Sequence, residues 1–551
     1  MDITAHTFFN HLPKVLDDLS SCCFVSIDLE FSGIGKGPGI SGKGKSTLQE
    51  RYDEVKNSAD QYQILQVGLT ICHEDPETAT YTLKPYNLFL SPIIDRKLEI
   101  ERIWSFQSGA VEFLLENNFS MENLFKDGVP YVSRDEEQRA MAKVIERFDR
   151  TTVRSSLDVT DSEYESLAFL KDVRRLVDDW LALGKARENY LNIPPPRGSK
   201  RPKSMASEIN RFHKRLIHQL IEVEYPDLVT ISRPTFIQIV KHDEQREKAV
   251  RDQKLRSMQE RIWKQTGFRW IAEALAGGNL TNLDPFYFTN LISSPDEPES
   301  ILKKFSDGVK QRLRDNRPVL VGHNLFTDLI YFCRCFFGPL PDRVEDFQAM
   351  AHKMFPVLMD TKYMATHDCG SINPKSSLQE INDSLAEIPT PTIRVHPKYT
   401  KYNMQAIDHE AGYDSLLTAQ VFIKLSAQLR DRGTSGIPPG IPATAEPGEE
   451  SKKSTKQVIG DFEATVFLPR RPKSSAVRIM SGSIEIDRVD DADASNVADE
   501  IKISLGPRNS VEIQQKVDNG SLIPRLDTPF WNVYGNKLRV FGTKERMCHI
   551  G

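Results

Sequence analysis

Two carboxylates set inside an otherwise apolar strand restrict this chain more than any other feature. The stretch Phe24-Val25-Ser26-Ile27-Asp28-Leu29-Glu30-Phe31 is filled with β-favouring residues and closes on Ser32-Gly33, so it reads as a strand. Asp28 and Glu30 are two positions apart and therefore project from one face. Two anions side by side repel, and a divalent metal ion between them relieves the repulsion. A strand whose polar face simply meets water is the competing reading of this stretch alone, and acids further along the chain decide between the two.

A chain of 551 residues exceeds what one hydrophobic core serves, so several domains are expected. With 39% hydrophobic and 27% charged residues the composition is that of an ordinary globular protein. A net charge of -5 argues against whole-molecule attraction to a polyanion, so any basic surface is local. Seven cysteines, an odd number without metal-type spacing, point to a reducing compartment and hence to the cytoplasm, the nucleus or both. No stretch approaches the roughly 20 apolar residues of a membrane span, and no basic-then-apolar leader opens the chain. Neither a membrane nor secretion is expected.

Helical spacing of apolar residues predicts a helix over 5–19 before the strand. A glycine-rich loop over 33–44 and a polar helix over 48–59 follow it. Strands over 62–72 and 81–90 then give an antiparallel start to a mixed sheet. The loop formally matches a phosphate-cradling pattern from Gly39 to Ser46. That pattern follows its strand closely and opens directly into a buried helix, whereas here Ser32 to Pro38 intervene and the next helix is polar. Nucleotide hydrolysis is therefore not the reading we carry forward.

From about 135 to 265 charged helical stretches dominate, broken by the loop Ile193-Pro194-Pro195-Pro196-Arg197-Gly198. Arg197, Lys200, Arg201 and Lys203 form a basic cluster, and a helix follows whose buried face is Phe212, Leu216, Ile217 and Leu220. On its other face Lys214 and His218 stand one turn apart, a spacing that suits two phosphates. This arrangement resembles the small single-strand-binding domain with an Arg-x-x-x-His motif, here with lysine, which lacks the bidentate fork of arginine. A solvated helical face is the alternative. A short strand over 236–240 and a mixed-charge helix over 241–264 lead back to the first domain.

In the returning half, Val319 to Asn324 reads as a strand running into a polar turn, and an apolar helix over 325–337 carries Asp328 in its first turn. Residues 357–362 read as another strand. His409-Glu410-Ala411-Gly412-Tyr413-Asp414 leads into a buried helix over 415–429. A first-turn acid can serve as a dipole-stabilised cap. Four acids from one strand and two helices can instead converge on two divalent ions about 4 Å apart, with His409 taking the proton of an attacking water.

Ile27-Asp28-Leu29-Glu30-Phe31-Ser32-Gly33-Ile34, Gly322-His323-Asn324-Leu325-Phe326-Thr327-Asp328, Asp360-Thr361-Lys362 and His409-Glu410-Ala411-Gly412-Tyr413-Asp414 together resemble the motifs of the DEDD exonucleases, in the branch with histidine in the third motif, and within it the poly(A)-specific ribonuclease family. The resemblance covers about residues 1–430. It implies an α/β fold: a ribonuclease H-like mixed sheet flanked by helices, with an inserted small α/β single-strand nucleic-acid-binding domain. The implied organisation is a nuclease domain in two halves, 1–150 and 251–430, around an insertion at 151–250.

The implied activity is that of a metal-dependent 3'-to-5' exoribonuclease, a deadenylase that removes poly(A) from single-stranded RNA and releases 5'-AMP. Asp28, Glu30, Asp328 and Asp414 would hold two Mg2+ ions, with Mn2+ as an alternative, and His409 would be the general base. Phe31, Ile34, Phe113 and Lys362 would contact the substrate, although Phe and Ile are ordinarily core residues. A homodimer is also implied. Two alternatives stand beside this: a trimmer of small or non-coding RNA 3' ends with the same chemistry, and a catalytically inactive RNA-binding scaffold, against which the filled acid and histidine positions speak.

Residues 431–460, rich in Gly, Pro, Ser and Glu, read as a disordered linker, and 461–551 as a strand-containing tail with strands at 464–468, 477–480, 501–505 and 511–513 around an acidic stretch at 487–499. Thr528-Pro529-Phe530-Trp531-Asn532 is similar to a segment that the family carries after its nuclease. No aromatic RNP-type motif is present in the tail, so cap binding of that kind is not expected.

Overall fold

The computed structural model describes residues 1–35, 45–146, 164–196, 198–199, 202, 205–292, 299–367, 376–403, 406–430, 477–480, 483–486 and 511–551. The phosphate-loop pattern up to residue 44, the basic cluster Arg197, Lys200, Arg201 and Lys203, the linker 431–460, the strands at 464–468 and 501–505 and the acidic stretch 487–499 lie outside the described residues.

Strands β1 (Asp2–Ile3), β2 (Phe24–Phe31), β3 (Ile64–Asp75), β4 (Thr80–Ser91), β5 (Val129–Pro130), β6 (Val319–Gly322), β7 (Leu358–Asp360) and β8 (Thr392–Val395) build one eight-stranded sheet. Its path runs β1-β4-β3-β2-β6-β7, with β5 and β8 attached to β4. β2, β3 and β4 form an antiparallel meander, whereas β2, β6 and β7 run parallel. This is the expected mixed sheet. β2 sits at the junction of its two halves, where both strand edges are paired.

Period-two alternation sorts the side chains of β2 between two cores. Val25, Ile27 and Leu29 enter one, with Phe8, Leu12 and Leu16 of helix α1 (Phe8–Leu19) and the apolar side chains of helix α2 (Phe326–Phe337). Phe24 enters the other, with Leu416, Ala419 and Phe422 of helix α3 (Ala411–Gln428). Ser26, Asp28 and Glu30 continue the Phe24 face, so the acids look toward the element that carries Asp414.

The chain divides into two compact units, Met1–Glu137 with Ile262–Gly551, and Gln138–Arg261. The second contains an antiparallel sheet, with Ile237–Lys241 between Tyr190–Ile193 and Leu228–Ser232, and the helices Tyr164–Ala182 and Arg211–Glu224. Its core is Phe169, Val173, Val177, Leu216, Ile217, Leu220, Ile237 and Ile239.

Two expected strands are corrected. Residues 511–513 begin a helix, Val511–Asp518, because Ile513 and Val517 stand one turn apart and bury the same face. The strand expected over 357–362 ends at Asp360, whose carboxylate accepts the Lys362 N–H at 2.9 Å and caps the helix Thr361–Thr366. The C-terminal residues are also no peripheral tail: Leu522, Ile523, Phe530 and Tyr534 are fully buried in the core beneath α3.

Candidate active site

Polar side chains planted in apolar strands fix the start of α3. Ser26 Oγ donates to the Ser415 carbonyl at 2.7 Å, and Thr70 Oγ1 shares a 2.9 Å hydrogen bond with Ser415 Oγ. Gln66 Oε1 accepts from Ala411 N at 3.0 Å and Asn87 Oδ1 from Gly412 N at 3.2 Å. All four strand residues are buried, so these bonds are made away from water and hold one geometry. Opposite Asp28 in the sheet register stands Gly68, where a Cβ would lie 1.7 Å from the Ala411 carbonyl oxygen. Only glycine admits this approach of strand and helix. Gly68→Ala is therefore expected to displace the first turn of α3, with Asp414, and to lower turnover by roughly a hundredfold, the cost of an ångström of misplacement; steady-state rates check this.

The first turn of α3 brings Asp414 to the acids of β2. One carboxylate oxygen each from Asp28, Glu30 and Asp414 lie within 4.8 Å of one another. Asp328 is outside that tight trio but joins it through the backbone: its carboxylate accepts the N–H of Leu29, the residue between the two strand acids. His409 precedes α3 in a left-handed turn (φ 61°), and its N–H donates to the Asp414 carboxylate. Its exposed imidazole meets the Phe113 ring edge-on at 4.8 Å.

Burial, then the charges of Asp414 and Asp328, push Asp28 and Glu30 well above the usual carboxylate range, and Glu30 adds to the rise of Asp28. Burial lifts Asp328 to about 8 and Asp414 to about 7. Among the described residues no lysine, arginine or histidine forms an ion pair with any of the four. Crowded oxygen donors without a cationic partner fit hard divalent ions such as Mg2+ or Mn2+. In chelator the folded state keeps protons that the unfolded chain, with carboxylates near 4, has released. Stability should then fall as pH rises from about 4 toward about 8, and Mg2+ should reverse the fall. Melting curves at several pH values, with and without Mg2+, check the sign.

The other sequence candidates divide. Phe31 packs on Tyr331 with ring centroids 4.4 Å apart, as a core residue does, whereas Ile34 is exposed and its N–H donates to Gln107 Oε1 at 3.0 Å. Lys362 is buried, and its ammonium donates to the Ser376 carbonyl. Lys214 and His218 belong to the other unit. Lys214 Nζ donates to the carbonyls of Arg233 and Pro234 at 2.5 and 2.7 Å, and His218 Nδ1 shares a hydrogen bond with Thr230 Oγ1 at 2.5 Å, so both serve their own unit's sheet.

Sequence reasoning assigned no role to Asp360. Its fully buried carboxylate accepts N–H groups of Asn324 and Lys362 through Oδ1 and of Arg539 through Oδ2, at 2.8, 2.9 and 2.7 Å. It thereby ties the turn before α2, and so the approach to Asp328, to the C-terminal segment. The signal available was an acid inside an apolar strand, the same signal that singled out Asp28.

The mixed sheet flanked by helices, with acids gathered from β2, α2 and α3, sets the class, an α/β protein with a crowded carboxylate site. The family model of the CAF1 family ribonuclease matches residues 3–422, and the chain belongs to that family. It is similar to "Poly(A)-specific ribonuclease PARN" of Xenopus laevis, 26% identical over 450 residues that make up 78% of this chain and 63% of that protein. The chain thus spans less than two thirds of that relative's length. It is also similar to the "Pre-piRNA 3'-exonuclease trimmer" of Bombyx mori, at 23% identity over 79% of this chain and 73% of that one. Among solved structures, Schizosaccharomyces pombe Pop2p in its Mg2+- and Mn2+-bound form aligns with 79% of this chain and 92% of its own at 13% identity and a TM-score of 0.33.

Proposed function

We propose that this protein is a metal-dependent 3'-to-5' exoribonuclease that removes poly(A) from RNA 3' ends and releases 5'-AMP. The convergence of Asp28, Glu30, Asp328 and Asp414 beside His409, in a chain of a ribonuclease family, carries the reading. Several relatives named poly(A)-specific ribonucleases support the substrate. Asp28, Glu30, Asp328 and Asp414 would hold two divalent ions, Mg2+ or Mn2+. When bound, these would activate water and stabilise the charge developing on the scissile phosphate. An imidazole nitrogen of His409 would serve as general base toward an attacking water, and the Phe113 ring packs against that imidazole. The 3' end must leave any duplex to reach half-buried carboxylates, so a single strand is the substrate.

The trimmer reading shares every catalytic residue and is favoured by the silk-moth relative. Purified protein given oligo(A), oligo(U) and oligo(C) in Mg2+ should shorten oligo(A) fastest and do nothing in chelator. Equal rates on the three would favour the trimmer, and activity that survives chelation would remove the metal chemistry. A homodimer and residence in the cytoplasm or nucleus belong to the same proposal; light scattering near 63 kDa would exclude the dimer.

A further inference from the structure

We propose that the C-terminal hairpin supplies a second nucleic-acid contact beside the acid cluster, in which Arg539 takes a backbone phosphate of a single RNA strand while the Phe541 ring stacks on a base. The inference rests on the ribonuclease reading above and extends it to residues beyond the stretch that the family match covers.

The strands Lys537–Arg539 and Met547–His549 form the hairpin. Two anchors fix its place in the unit: the Arg539 N–H on Asp360 Oδ2 at 2.7 Å, and the Lys544 N–H on the Ser46 carbonyl at 2.9 Å. The first anchor is the carboxylate that also holds the turn leading to Asp328. Between the anchors the ring of Phe541 is 40% exposed, so one face is open to solvent. The Arg539 guanidinium lies 5.1 Å and the Lys362 ammonium 5.8 Å from its centroid.

The buried Asp360 lies near these cations but pairs with neither of their charged heads. Among the described residues no ion pair involves Lys362, Arg539 or Arg546, and the Arg539 Nε is buried without a hydrogen-bond partner. The terminal nitrogens of the guanidinium form no ion pair among the described residues, and a phosphate oxygen is a fitting partner for them. Burial, and then the neighbouring Arg546, hold the Arg539 pKa below its ordinary value against the opposing pull of Asp360. The chain as a whole has a net charge of -5, which makes a cationic spot next to an acidic centre a local device. An exposed aromatic ring flanked by cations is the combination that binds a single strand without reading its sequence.

The test uses the full chain with Arg539→Gln, Arg539→Lys and Phe541→Ala, measuring oligo(A) binding in chelator across salt concentrations and KM and kcat in Mg2+. Arg539→Gln should weaken binding about tenfold and reduce the slope of log affinity against log salt by about 0.7, one phosphate contact on a single strand. Arg539→Lys should restore the slope. Phe541→Ala should also weaken binding about tenfold but leave the slope unchanged, since stacking is not electrostatic. In each weakened variant KM should rise while kcat and the melting temperature stay near wild type. Unchanged affinity and slope in all variants, or losses that follow a lowered melting temperature and kcat, would overturn the proposal. Wild-type protein that neither binds nor shortens RNA would instead refute the ribonuclease reading, and this inference with it.

Discussion

Asp28→Ala protein is expected to release no measurable AMP from oligo(A), a loss of at least about a thousandfold, or on the order of 4 kcal/mol of transition-state stabilisation. Asp28 stands at the centre of the cluster: it shares the tight trio with Glu30 and Asp414, and it feels the charges of all three other acids. Removing it leaves too few oxygens to hold two ions. The same change removes repulsion among the remaining acids, so in chelator the variant should melt no lower than wild type. Binding of oligo(A) in chelator should be largely intact. The combination separates lost chemistry from a lost fold; wild-type rates would show the acids to be decorative.

The second large effect lies far from the acids in sequence. Phe530→Ala should destabilise the nuclease unit by about 3–5 kcal/mol, the usual cost of emptying an aromatic site in a packed core. Phe530 is fully buried beneath α3, in edge-to-face contact with Trp531 at 5.3 Å and packed on Tyr534 at 5.1 Å. Its helix, Pro529–Tyr534, leads into Asn536, which brackets β7 by accepting the Leu358 N–H and donating its own N–H to the Leu358 carbonyl, both at 2.8 Å. A chain cut at residue 430 would lose all of this and should be insoluble or melt well below the full chain. Chemical denaturation of Phe530→Ala measures the first expectation; a midpoint equal to wild type would mean that the C-terminal segment is dispensable after all.

What the sequence disclosed was local. The alternation around Asp28 and Glu30 and the helical spacing behind Asp328 and Asp414 depend on neighbours within a turn or a few strand positions, and these elements stand where those patterns put them. Pairing of Asp28 with Gly68 is a long-range fact, so the close approach of β3 to the Ala411 carbonyl, which seats Asp414, was invisible. The hidden role of the C-terminus has the same cause, because 80 or more residues separate α3 from Val511–Asp518 and no local pattern reports their contact. There the short apolar spacing of Val511 and Ile513 suggested a strand, and tertiary burial of Ile513 with Val517 made a helix instead. Lys214 and His218 show the opposite hazard: a helical spacing that suits two phosphates also suits a carbonyl pair and a threonine hydroxyl on the adjoining sheet.

Crystals of the protein soaked in Mn2+ and measured at the manganese absorption edge test the metal reading most directly. We expect two anomalous peaks about 4 Å apart, each within coordination distance of oxygens from Asp28, Glu30, Asp328 or Asp414, and their loss in Asp28→Ala crystals. A well-ordered cluster that holds no manganese at millimolar concentration, in protein that still shortens oligo(A), would contradict the account.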